Sequence, residues 1–167
     1  MRGTENSARM RKVQTKLATI LFALLAVAGC VRSPTSLLPN VRPNLDPKWL
    51  DRSGNVRYPD NDGFAASPLP VVLPPGLMID RFGGDTGHFF SPVDASFAGR
   101  SLPSQCETQR YTRYRVIQPL LAWTGKTAPW FDEPGGATQF ETDASISSLL
   151  AERIIEAVPA RTSPPCR

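Results

Sequence analysis

Apolar positions along the chain change period several times. Leu17 to Ala28 is an uncharged apolar run in which Thr19 is the one polar residue. Val31 to Arg57 is sparse in apolar residues and broken by Pro34, Pro39, Pro43 and Pro47. Beyond Tyr58 the pattern becomes that of a folded domain. Pro70 to Asp80 is apolar and β-branched around a Pro74-Pro75-Gly76 break, and Gly87 to Ser91, with His88, Phe89 and Phe90, suits a short buried strand. Tyr111 to Gln118 alternates: Thr112, Tyr114 and Val116 fall on one face, and Tyr111, Arg113, Arg115 and Ile117 on the other. Near the end Ile146, Leu149, Leu150, Arg153, Ile154 and Ala157 recur at helical spacing, with Thr142 or Asp143 as cap and Pro159 as stop. Short strands, many loops and one amphipathic helix predict an α+β domain.

The first apolar run is preceded by Arg2, Arg9, Arg11, Lys12 and Lys16 and followed by Ala28 and Gly29, the basic, apolar and small-residue order of a secretory signal. Twelve residues fall short of the ~20 that a spanning helix needs. Val27-Ala28-Gly29-Cys30 resembles the bacterial lipobox, which makes residues 1–29 a lipoprotein signal and Cys30 the acyl acceptor; the alternative is a plain signal with Cys30 left as a thiol. The expected location is the bacterial cell envelope, exported and lipid-anchored, with the membrane reached through Cys30. Residues 30–57 read as a Pro-rich tether, in which Trp49 and Leu50 are available to dock. From Tyr58 to Arg167 roughly 100 residues remain, enough for one small core.

Charge sharpens this division. The net charge of +4 resides in the signal, and the rest of the chain holds 14 of the 19 basic and 14 of the 15 acidic residues. A neutral domain without a basic stripe lacks the footprint of a nucleic-acid binder. In an oxidising compartment Cys106 and Cys166 can pair as a disulfide or remain two thiols. Single His88 excludes a multi-histidine metal site, and there is no zinc-spaced cysteine pair, phosphate loop or G-x-S-x-G elbow.

What stands out is a series of polar and glycine-rich segments fused to aromatic ones: Tyr58-Pro-Asp-Asn-Asp-Gly-Phe64, Ile79-Asp-Arg-Phe-Gly83, Ser91-Pro92, Arg100-Ser-Leu-Pro103, and Ala128-Pro-Trp-Phe131 leading to Pro134-Gly-Gly-Ala-Thr-Gln139. In this order the blocks resemble the tuberculosis necrotizing toxin domain family, whose relatives include surface NAD glycohydrolases of fungi. The resemblance implies hydrolysis of the nicotinamide–ribose bond of NAD or NADP, used as substrate with no cofactor. It implies two small sheets flanking a cleft, in a fold related to ADP-ribosyltransferases, and an immunity protein as partner. Transfer of ADP-ribose to a protein and NAD binding without catalysis are the alternatives. The family's arginine and glutamine map onto Arg81 and Gln139; its functional histidine has no counterpart in the strand framed by Tyr111 and Tyr114, where Thr112 and Arg113 stand.

The residue types suit that chemistry. A guanidinium at Arg81 offers paired donors to a pyrophosphate, and Arg100 is a second candidate, while Asp80 is placed to orient Arg81. Nicotinamide leaves as a neutral ring and needs no general acid, so a neutral amide at Gln139 can hold ribose hydroxyls or water. Phe82, Trp130 and Phe131 are candidates to stack on substrate rings. Gly83, Gly136 and Thr138 belong to the loops expected to approach the substrate.

Overall fold

The computed structural model describes residues 41–159 and Cys166. The signal, Cys30 and the start of the tether lie outside the described residues. Among the described residues seven strands form one continuous antiparallel sheet: β1 (Leu69–Leu73), β2 (Met78–Phe82), β3 (Phe89–Pro92), β4 (Tyr111–Val116), β5 (Leu120–Lys126), β6 (Thr138–Glu141) and β7 (Ile155–Val158), in the order β1-β5-β6-β3-β2-β4-β7. One α-helix, α1 (Ile146–Ala151), is present among the described residues. The domain is therefore richer in sheet than the expected α+β arrangement with two separate sheets. What joins the halves is β3, which changes partner along its length: Phe89 and Phe90 pair with β6, Asp80 and Ile79 of β2 with Ser91 and Pro92.

Alternation explains which side is filled. Leu73, Ile79, Phe90, Tyr114, Val116, Leu120, Ala122 and Ile155 are buried on one face, where Ile146 and Leu149 of α1 pack against them. The phase expected for β4 holds, with Tyr114 and Val116 inward. On the far face a smaller cluster gathers Phe82, Phe97 and Cys106 with Leu102 and Tyr111. Cys106 and Cys166 are paired as a disulfide, with Cα atoms 5.6 Å apart, which fastens the chain's end to that cluster.

The helix differs from its expected extent. Its cap is Ser145, whose hydroxyl accepts from the Ser148 N–H, and it ends at Ala151, not near Pro159. Arg153 takes a left-handed φ of 55°. The Arg153 N–H then donates to Leu150 O and the Ile154 N–H to Leu149 O, closing the helix in a Schellman arrangement. The reversal frees Ile155–Val158 to pair as β7 with β4. β5, β6 and β7 are additional to the strands that the sequence pattern predicts.

Residues 41–57, assigned to the tether by their prolines, are packed on the domain. Leu45 is buried, Arg42 forms an ion pair with Glu133 at 2.6 Å, and the Trp49 ring lies 4.9 Å from that of Trp130. Among the described residues no helix is long and apolar enough to cross a membrane.

Candidate active site

Arg81 is the penultimate residue of β2 and leaves it, by alternation, on the side of Ile79. Its guanidinium folds into the following loop, donating from Nε to Gly84 O at 2.9 Å and from NH1 to Phe89 O at 3.0 Å. A Cβ on Gly87 would stand 2.2 Å from its NH2 atom, so the close approach requires glycine there. Gly83, at φ 110°, supplies the turn. The same loop is tied to the helix, since the N–H groups of Ile146 and Ser147 donate to Gly87 O and Asp85 O. Burial lowers the Arg81 pKa, while Tyr114 and Asp85 raise it, and a guanidinium remains charged throughout. Two of its five N–H groups are thus committed to backbone carbonyls.

Gln139 lies on β6, opposite Gly125 of β5, and faces away from the core that its neighbour Phe140 joins. Its Nε2 donates to Asp62 O at 2.9 Å. That carbonyl belongs to a turn in which Asn61, Asp62 and Gly63 have φ of 56°, 51° and 82°. Two consecutive non-glycine residues in the left-handed region cost about 1–3 kcal/mol each and are held by their surroundings: here the Asn61 side-chain amide donates to Phe64 O and Ala66 O. Strain is thereby concentrated against the amide of Gln139.

Gly135 and Gly136, at φ 66° and 84°, turn the chain into β6. The Gly136 N–H donates to Thr127 O and the Ala137 N–H to Gly99 O, so the turn is seated on its base. Gly136 itself is exposed, and nothing lies within 4 Å of where its Cβ would be. Thr138 accepts a hydrogen bond from Lys126.

Three residues expected to touch substrate are buried instead. Arg100 has its NH2 atom 2.6 Å from Asp80 Oδ1, donates from Nε and NH2 to Ala95 O, and covers the Phe82 ring at 5.0 Å. Asp80 accepts from the Tyr111 hydroxyl at 2.7 Å; it therefore partners Arg100 and Tyr111, not Arg81. Phe82 packs edge-on to Phe97. Phe131 is buried between Trp49 and Tyr58. Trp130 is half-buried, and its indole N–H donates to Arg57 O. Arg81 and Gln139 remain, on strands that flank β3 and turned to opposite sides of the sheet.

One group was not anticipated from sequence. Glu141 follows Gln139 by two residues, sits in register with Phe89 and Trp123, and is half-buried. Burial raises its pKa, Asp62 and Asp143 raise it further, and His88 lowers it. His88 is fixed by its Nδ1 contact with Thr142 O at 3.0 Å. The signal in the sequence was the period of two, which puts Glu141 on the side of Gln139 once β6 is recognised.

Comparison with known proteins identifies the family and the fold. Residues 72–158 match the family model described as tuberculosis necrotizing toxin. The conidial surface nicotinamide adenine dinucleotide glycohydrolase nadA of Aspergillus fumigatus is 35% identical over 119 residues, which cover 62% of this chain and 51% of that protein. The chain thus spans about half the length of this curated relative. The structure of tuberculosis necrotizing toxin complexed with its immunity factor is similar in fold, with a TM-score of 0.54 at 19% identity over 64% of this chain and 65% of the other. The matched region contains six of the seven strands whole, the last two residues of β1, the helix, Arg81 and Gln139, and on the ground of that match the chain belongs to the tuberculosis necrotizing toxin family.

Proposed function

We propose that this protein is an NAD(P)+ glycohydrolase that cleaves the bond between nicotinamide and ribose, releasing nicotinamide and ADP-ribose or its phosphate. The observation that carries the reading is the 35% identity to an NAD glycohydrolase over 119 residues. In this mechanism Arg81 acts from the other side of the sheet as a positioning residue: it holds the loop that leads into β3, the strand beside β6, through Gly84 O and Phe89 O. The Gln139 amide, oriented through Nε2 by Asp62 O, keeps its Oε1 for a ribose hydroxyl or the attacking water. An acidic group for the departing ring is unnecessary, because the pyridinium nitrogen receives the bond's electron pair and leaves neutral.

The signal at residues 1–29 and lipidation at Cys30 place this activity in the cell envelope in the same reading, as a toxin or a tethered consumer of external NAD. An immunity protein is a partner expected by kinship, motivated by the related toxin solved with its immunity factor. The test is nicotinamide release from NAD by the full chain in detergent, with Gln139→Ala and Arg81→Ala beside it. Turnover by wild type and a loss of about 100-fold or more in Gln139→Ala are expected, on the scale of removing one transition-state hydrogen-bonding group. Absence of nicotinamide from the wild type refutes the reading.

A further inference from the structure

Resting on the glycohydrolase reading, we propose that Glu141 is a second catalytic group of this site, the carboxylate that takes the proton from the attacking water. Alternation along β6 places it on the same side as Gln139, and two strand residues separate their Cα atoms by about 7 Å. That interval accommodates a water held between an amide and a carboxylate. The cross-strand neighbours of Glu141 are the uncharged Phe89 and Trp123.

Its lack of a counter-ion distinguishes Glu141 from the carboxylates that serve the fold. Asp80 is matched with Arg100, Asp85 with Arg110, Glu133 with Arg42, Glu156 with Arg115 and Asp132 with Lys48. Among the described residues the Glu141 carboxylate has neither an ion pair nor a hydrogen bond, although the residue is half-buried. The charged or titratable groups near it are Asp62 from the strained turn, His88 from the segment before β3, and Asp143 from its own strand's continuation. Two are acidic. A carboxylate surrounded in this way gains from accepting a proton, which is the property of a general base.

The step balances. The bond from C1′ of the ribose to the pyridinium nitrogen breaks, with its electron pair going to the ring. The water oxygen forms the new bond to C1′, and the proton it sheds passes to Glu141 and then to solvent. Gln139 cannot take this proton, because an amide has no basic site near neutral pH. It orients; Glu141 accepts.

The experiment measures nicotinamide release by the full chain against pH for wild type, Glu141→Gln, Glu141→Asp and Glu141→Ala. Wild-type kcat should fall as the solution is acidified through the raised pKa of Glu141. Glu141→Gln should lose about 100-fold or more in kcat with KM nearly unchanged and with no acidic limb. Azide, a nucleophile with no proton to shed, should restore turnover to Glu141→Ala as ADP-ribosyl azide, which a merely structural role would not allow. Glu141→Gln within about two-fold of wild type overturns the role of Glu141 and leaves the glycohydrolase reading intact. Should Glu141→Gln fail to fold, Glu141→Asp and the wild-type profile decide, and a profile flat into acid overturns the role. A wild type that releases no nicotinamide overturns both.

Discussion

Replacing Arg100 by Ala separates a structural arginine from a substrate-binding one. Arg100 is 7% and Asp80 0% exposed, so the substitution strands a carboxylate with only the Tyr111 hydroxyl for a side-chain partner. Breaking a buried pair from one side costs about 3–5 kcal/mol, and loss of the cation over Phe82 adds to it. At about 3 °C per kcal/mol for a domain of this size, the melting temperature should drop by roughly 10–15 °C. The pH dependence carries a definite sign. Burial raises the Asp80 pKa, against the opposing effect of Arg100, and removing Arg100 raises it further. A carboxyl whose pKa is raised on folding contributes stability below its unfolded value and loses it as pH rises through its folded value. The deficit of Arg100→Ala relative to wild type is therefore largest near neutral pH and shrinks on acidification. Thermal melts followed by circular dichroism across that range, with the disulfide intact, measure both effects. A variant melting within about 2 °C of wild type but with a raised KM for NAD would refute the structural assignment.

Two further outcomes follow from local geometry. Cys166→Ser opens the disulfide that closes a separation of 60 residues, and the chain-entropy model gives a loss of about 4 kcal/mol, read from urea unfolding of variant and wild type without reductant. Gly87→Ala places a methyl where the Arg81 guanidinium lies; it should impair nicotinamide release as Arg81→Ala does and speed amide exchange at Ile146 and Ser147, whose N–H groups depend on that loop. Unchanged exchange would show that the loop does not need Arg81 where it stands.

Much of the fold could be read from periodicity, and the exceptions have physical causes. The alternation of β4 and the burial of Ile146 and Leu149 were legible because packing enforces both. The end of the helix was not, since Arg153 occupies a position that usually signals itself with glycine. Leu120-Leu-Ala-Trp-Thr-Gly-Lys126 does alternate, with Leu120 and Ala122 inward and Leu121 and Trp123 outward, but its outer face is apolar too, which blurs the pattern. Strands of four residues such as β6 and β7 are too short to carry a period of their own. Arg81 and Gln139 could be singled out only through the ordered blocks that contain them, and nothing local told that Arg100 would pair with Asp80, because long-range pairing fixes that choice.

The packing of residues 41–57 bears on how the site is held. Arg42 donates to Phe131 O and pairs with Glu133, while Lys48 and the Trp49 indole both engage Asp132. These contacts fall on three consecutive residues, two of which, Phe131 and Asp132, have left-handed φ of 56° and 59°. They immediately precede Pro134 and the Gly135-Gly136 turn that delivers Gln139 into β6. Left-handed non-glycine residues persist only where neighbours over-determine them, and here several of those neighbours come from the proline-rich segment. The segment that composition marks as a spacer thus forms one side of the support for the glycine turn. The other side is Gly99 and Thr127, which bind Ala137 and Gly136. The position of Gln139 consequently depends on residues before the ordered blocks begin as well as within them, and a domain cut at Tyr58 would lose the contacts that keep Phe131 and Asp132 in their strained conformations.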